Sequence, residues 1–258
     1  MKIIALTENT ASRPDLGAEH GQSLYLEACG KKILFDTGQS DLFAENAEKL
    51  GVDLSAVDLA ILSHGHYDHS GGLKRFLAIN DHAPVYVSRY AFEPHLNPAG
   101  KDIGVDASLK NDPRLVPVGD KAEIAPGLTL YSCNRRRRLF PLDTGGMTTV
   151  RGGRSLPEDF RHEQYLLIEE DGRRILISGC SHKGILDIAA WFRPDILVGG
   201  FHFFRLPLDE RLTSYAQRLQ KTGIRFYTCH CTGTEQYEWM KKDMTRLEYL
   251  SAGQTVVL

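Results

Sequence analysis

Three histidines and a carboxylate fall within six residues, in the run Ser63-His64-Gly65-His66-Tyr67-Asp68-His69-Ser70-Gly71-Gly72. The run follows an apolar stretch, Leu59 to Leu62, that reads as a buried strand, so the histidines sit on a tight loop at a strand end. Such a density of ligand-forming side chains is a metal-site pattern. His64 and His66, two apart, can hold one ion. Asp68 and His69, beyond a turn, can hold a second. Two ions roughly 3.5–4 Å apart can share a water and lower its pKa to about 7, which supplies a nucleophile without serine or cysteine.

Other strand ends carry similar residues. Asp36 closes a strand before Thr37-Gly38, and Gly179-Cys180-Ser181-His182 closes another. Gly199-Gly200-Phe201-His202 and Cys229-His230-Cys231-Thr232-Gly233 close two more. Loops at the ends of a rigid sheet can bring such residues to one cleft. Glu19-His20-Gly21 lies in an early loop and adds two candidate substrate or catalytic groups, Glu19 and His20; His202 is a third. Cys229 and Cys231 flank His230, and strand-like alternation turns both thiols away from it. His82, His95 and His162 read as surface residues, with His162 the alternative candidate for a further loop ligand.

The elements that position these groups alternate. Strands are expected at Ile3–Leu6, Ser23–Ala28, Lys32–Asp36 and Val57–Leu62, with helices over about 41–50 and 73–79. Pro84–Ser88, Val116–Val118, Ala122–Ile124 and Leu128–Tyr131 are further strand candidates, inside or beside a loop-rich insertion at about 90–160. Residues 134–154 read as one long loop. A second strand-then-helix series follows, with strands at Gln164–Glu169, Arg174–Ser178, Asp195–Val198, Arg225–Thr228 and about 255–258, and helices at about 184–191, 209–221 and 234–242. The two halves resemble each other loosely, within one domain of residues 1–258.

In order, Phe35-Asp36-Thr37-Gly38, His64-x-His66-x-Asp68-His69, Gly179-Cys180-Ser181-His182-x-Gly184, Gly199-Gly200-Phe201-His202 and His230-Cys231-Thr232-Gly233 resemble the metallo-β-lactamase-fold superfamily. Within it they are similar to the branch named for 7,8-dihydropterin-6-ylmethyl-4-(β-D-ribofuranosyl)aminobenzene 5′-phosphate synthase. The resemblance implies an α+β fold, a four-layer αββα sandwich, and two divalent ions, zinc first, with iron or manganese as alternatives. It implies His64, His66 and His182 on one ion and Asp68, His69 and His230 on the other. Asp36 would orient the histidine loop from behind. Many members place a bridging aspartate where this chain has Cys180, so Cys180 is either the substitute ligand or a packed small residue.

Composition narrows the function. The 258 residues carry 31 Lys and Arg against 33 Asp and Glu, which gives no ground for a nucleic-acid or membrane partner. Five cysteines without framework spacing suggest reduced thiols and a cytoplasmic protein, as does a first strand too short for a leader. Arg135, Arg136, Arg137 and Arg138, with Arg151 and Arg154, face only Asp143 among acids in 134–154. They are either a solvated run or a counter-charge for phosphate. The expected function is a metal-dependent hydrolase of a small, phosphate-containing ester or diester, acting as a monomer or homodimer. A pterin-transferring synthase and a non-enzymatic metal- or ligand-binding protein are the alternatives.

Overall fold

The computed structural model describes residues 1–258. The chain opens with β1 (Lys2–Thr7), β2 (Ser23–Ala28) and β3 (Lys31–Phe35), followed by α1 (Leu42–Lys49), β4 (Leu59–Ile61), α2 (Tyr67–Ser70), α3 (Leu73–Ile79) and β5 (Val85–Ser88). Then come β6 (His95–Leu96), β7 (Leu115–Val118), β8 (Lys121–Ala125), β9 (Leu128–Tyr131), β10 (Thr148–Arg151) and β11 (Arg154–Pro157). The second half adds β12 (Tyr165–Glu170), β13 (Arg173–Ile177), α4 (Ile185–Phe192), β14 (Ile196–Val198), α5 (Glu210–Gln220), β15 (Arg225–Thr228), α6 (Thr234–Lys241), β16 (Leu247–Tyr249) and β17 (Thr255–Val257).

Two seven-stranded sheets result, ordered β17-β1-β2-β3-β4-β5-β7 and β16-β15-β14-β13-β12-β9-β8. Their wiring is equivalent. From β17 to β3 the first sheet is antiparallel, and from β3 to β7 it is parallel. From β8 to β13 the second is antiparallel, and from β13 to β16 it is parallel. The central strands are buried on both faces, and period-two alternation sorts their side chains. Ile3, Leu24, Leu26, Ile33 and Phe35 meet Leu166, Ile168, Ile175 and Ile177 between the sheets. Ile4, Leu6, Tyr25 and Leu34 point outward onto α1 and α3, packing with Phe43, Ala47, Leu73 and Phe76. Tyr165, Leu167 and Leu176 pack outward with Ile188 of α4, Leu212 and Ala216 of α5, and Met240 of α6. The fold is thus α+β, a four-layer αββα sandwich.

The region around 90–160 differs from a single loop-rich insertion. β7 completes the first sheet, and β8 and β9 the second. The stretch expected to be a loop over 134–154 contains the hairpin β10–β11, which pairs with β6 in a small third sheet. Gly152 and Gly153, both at positive φ, form its two-residue turn, the geometry that suits a hairpin's twist. β16 was not anticipated either; its three residues, Leu-Glu-Tyr, are too short to show alternation. No helix is long and apolar enough to cross a membrane.

Candidate metal centre

The parallel strands of both sheets end on one edge, and the chemistry-bearing residues follow those ends. At four of them a non-glycine residue holds positive φ: Asp36 (62°), Ser181 (58°), His202 (56°) and His230 (46°). Such backbone is costly outside glycine and gathers where a side chain must be aimed.

Asp36, fully buried at the end of β3, sits beneath the histidine loop that leaves β4. Its carboxylate accepts from Ser63 N at 2.6 Å and Ser63 Oγ at 2.7 Å, and from His69 Nδ1 at 2.7 Å. Once His69 gives up its second proton, as ligation requires, the remaining one stays on Nδ1 and Nε2 is freed on the side of Cys180 Sγ, 3.1 Å away. Ser63 Oγ, having given its proton to Asp36, accepts from His64 Nδ1 at 2.8 Å, so His64 also presents Nε2 as a lone pair. His230 Nδ1 donates to Asn9 Oδ1 at 2.7 Å, and its Nε2 lies 3.3 Å from Asp68 Oδ2. His182 stacks on Phe160, ring centroids 4.5 Å apart.

Two donor groups emerge. His64, His66 and His182 bring ligand atoms within 4.8 Å of one another, as do Asp68, His69, Cys180 and His230. All seven residues are buried. Nε2 of His64, His182 and His230 has no hydrogen-bond partner. Buried unpaired imidazole nitrogens are expensive, and converging lone pairs beside a carboxylate and a thiol fit divalent cations of borderline softness. Cys180 thus joins the second group, next to His69.

Electrostatics match. Burial and the neighbouring rings push His64 and His182 well below the ordinary imidazole value, and burial takes His66 down to about 3. These rings stay neutral, as ligation requires. Burial opposes a charged His69, but Asp36 and Asp68 overcome it and raise the ring to about 9. Burial pushes Cys180 up, with Cys231 beside it.

The remaining expected residues divide. His20 Nε2 lies 3.3 Å from Asp68 Oδ2, at the edge of the second group. His202 is half-buried with its ring centroid 4.2 Å from that of His182. Glu19 is occupied elsewhere. It accepts from Gln39 N at 3.0 Å and Ser40 Oγ at 2.5 Å, so it braces the loop after β3 rather than facing a substrate. Cys231 contradicts the strand-like reading. Residues 230–232 form a helical turn, which brings the Cys231 thiol to Cys180 O at 3.4 Å.

A cavity of about 290 Å³ opens on both groups and is lined by His20, His66, Asp68, Cys180, His182, His202 and Cys231. Its other walls are mostly apolar, including Phe140, Leu142, Met147, Phe203, Phe204 and Leu206, with Arg205 and Arg211 among them. None of Arg135, Arg136, Arg137 or Arg138 lines it. Arg135 is 93% exposed beside Asp120, and Arg138 donates to Lys183 O at 2.8 Å. The run is a solvated, structural segment, because the turn carrying it lies outside the cavity wall.

Sequence reasoning passed over several supports. Glu8 accepts from His230 N at 3.0 Å, and Glu163 accepts from His182 N at 2.6 Å. His95 and His162, expected on the surface, are buried, with ring centroids 3.8 Å apart and the planes tilted by 32°. Only His82 of that trio is exposed.

Residues 16–182 match the metallo-beta-lactamase superfamily, and the chain belongs to that superfamily. A relative named 7,8-dihydropterin-6-methyl-4-(beta-D-ribofuranosyl)-aminobenzene-5'-phosphate synthase, from Methanocaldococcus jannaschii, is 28% identical over 286 aligned residues, covering 99% of this chain and 96% of that protein. The crystal structure of Tm1679, described as a metal-dependent hydrolase of the beta-lactamase superfamily, superposes with a TM-score of 0.84 at 28% identity, covering 100% of this chain and 99% of the other. Zinc-bound PqqB from Methylobacterium extorquens shares the fold, with a TM-score of 0.56 at 12% identity and all of both chains covered.

Proposed function

We propose that this chain is a dinuclear metal-dependent hydrolase acting on a small ester or diester with an apolar body and an anionic, phosphate-type group. The observation that carries the reading is the pair of donor groups at one end of a largely apolar cavity that also holds two arginines. Bound ions, zinc first with iron or manganese as alternatives, would supply Lewis acidity and an activated water. His64, His66 and His182 would hold one, and Asp68, His69, Cys180 and His230 the other. Asp36 fixes the tautomer of His69 and, through Ser63, that of His64. His20 and His202 line the cavity beside the donor groups and can hold the proton that the leaving group takes. Arg205 and Arg211 replace the arginine run as the anion counter-charge, Arg211 from a loose pair with Asp143, whose Oδ2 lies 3.8 Å away and which also lines the cavity. Arg205 lies over the Phe204 ring, and Arg211 Nε donates to Tyr215 OH at 3.0 Å, so both stand against aromatic wall residues.

The synthase name of the archaeal relative supports a second reading, transfer of a pterin to an aminobenzene riboside phosphate. The cavity volume favours the first. About 290 Å³ is at the small end of ligand sites, which span roughly 300–1,000 Å³, and suits one small substrate better than two. Protein stripped with EDTA and reconstituted with zinc, manganese or iron is expected to cleave bis-p-nitrophenyl phosphate or p-nitrophenyl phosphate with at least one metal. Inactivity with all three, alongside product formation from the two synthase substrates, would replace the hydrolase reading.

A further inference from the structure

Behind His66, on the side where β6 and β11 lie, His95 and His162 complete a third convergence. Nitrogens of His66, His95 and His162 lie within 4.8 Å of one another, and Nε2 of each is buried without a hydrogen-bond partner. Their other nitrogens decide what belongs there. His95 Nδ1 donates to Glu158 Oε2 at 2.8 Å, so His95 Nε2 is a lone pair. His162 Nδ1 accepts from Gly65 N at 2.8 Å, so in the neutral ring Nε2 carries the proton. A cation would meet the His162 N–H proton, which repels it. One water satisfies both rings, accepting from His162 and donating to His95. With the three nitrogens no more than 4.8 Å apart, an oxygen at their centre lies within about 2.8 Å of each, inside hydrogen-bond reach, and a buried water needs two to four such partners.

We propose that His95, Glu158 and His162 are positioning residues for His66, acting through one water held among the three rings. The water accepts a hydrogen bond from His66 Nε2–H, so the ring's proton stays on Nε2 and the Nδ1 lone pair is left for the ion shared with His64 and His182. No hydrogen bond within the protein engages His66 Nδ1, and His66 lines the cavity. Glu158 is itself fixed, since Oε1 accepts from Asp159 N at 3.1 Å and Phe160 N at 3.0 Å. The chain Glu158–His95–water–His66 then does for His66 what Asp36 does for His69. The small third sheet has a purpose on this view: it carries His95 on β6, and Glu158 just beyond β11, to the back of the metal centre. The inference rests on the reading of His66 as a ligand.

The test uses the full chain. Long-range proton–nitrogen correlation spectra of the metal-free protein should show His66 and His162 protonated on Nε2, and His95 on Nδ1. His95→Phe keeps the ring and removes both nitrogens. It should weaken cobalt binding at one of two sites by about 10–100-fold, the usual effect of losing a ligand's outer partner, and shift the cobalt absorption bands. His95→Gln, which returns a polar atom near the Nε2 position, should recover part of the loss. Melting of the metal-free variants controls for folding. If His95→Phe does not fold, Glu158→Gln should invert the His95 tautomer and weaken cobalt in the same direction. A His66 protonated on Nδ1, or wild-type cobalt affinity and spectrum in a folded His95→Phe, overturns the inference and leaves the metal centre standing. Failure of the wild-type chain to take up cobalt overturns both.

Discussion

Asp36→Asn in the metal-free protein separates a charge effect from a packing effect. The carboxylate is fully buried and holds three donors, one of them His69. His69 stands at about 9 against an ordinary 6.5. That difference is worth about 3 kcal/mol, at about 1.4 kcal/mol for each tenfold change in proton affinity. A raised folded pKa stabilises fully below the unfolded value and is lost as pH rises through the folded one. The contribution should be complete below about pH 6.5 and fade as pH passes about 9. Asparagine removes the largest attraction that holds the proton, while keeping size and one acceptor. Urea unfolding of wild type and variant in EDTA, from about pH 6 to pH 10, should show a gap near 3–4 kcal/mol at the acid end. The gap should shrink to about 1 kcal/mol, a residual hydrogen-bond loss, at the alkaline end. Using the difference between the two proteins cancels thiol titration common to both. A gap that is the same at every pH would refute the buried His69–Asp36 ion pair.

Cavity arginines and run arginines should behave differently once an activity is measured: Arg205→Ala and Arg211→Ala should raise KM for an anionic substrate several-fold with kcat little changed, whereas Arg136→Ala and Arg137→Ala should alter neither. Metal at about a hundredfold its Kd should add about 2.7 kcal/mol of stability, seen as a melting shift of about 5–10 °C that EDTA abolishes. Gly65→Ala should destabilise by about 1–3 kcal/mol and lower metal content, because a Cβ there would stand 2.3 Å from Ala91 O and push His64 and His66 aside; unchanged metal stoichiometry in that variant would show the loop to be pliant. Glu19→Gln should reduce stability without changing kcat, since its partners are Gln39 and Ser40.

Much of the fold and the two donor groups could be read in the sequence, because each site residue follows a strand and is announced by neighbouring small residues. The His64–His69 loop is local in the chain, and its chemistry depends little on distant packing. His95 and His162 were misplaced for the opposite reason. They lie in stretches poor in periodicity, and their burial depends on contacts with Gly65 and Glu158 that no local pattern encodes. Asn9 orients His230 from the far end of the chain. The arginine run misled because composition records charge but not direction. Arg205 and Arg211 are isolated in sequence, and only tertiary structure sets them at the cavity. Cys231 is buried, as a small residue there should be, but a helical turn replaces the expected strand continuation and sets its direction.

The equivalent wiring of the two sheets has a consequence for how the protein is made. Each donor group takes residues from both halves: His64 and His66 need His182, and Asp68 and His69 need Cys180 and His230. A nascent chain that has emerged only through β7 carries two of the three residues of the first group and two of the four of the second. On the proposed ligand set, neither ion can be captured in full until the second sheet has docked, and the second ion waits for a residue in the last strand–helix unit. Loading would therefore follow synthesis rather than accompany it, and a truncated or undocked chain would stay metal-poor.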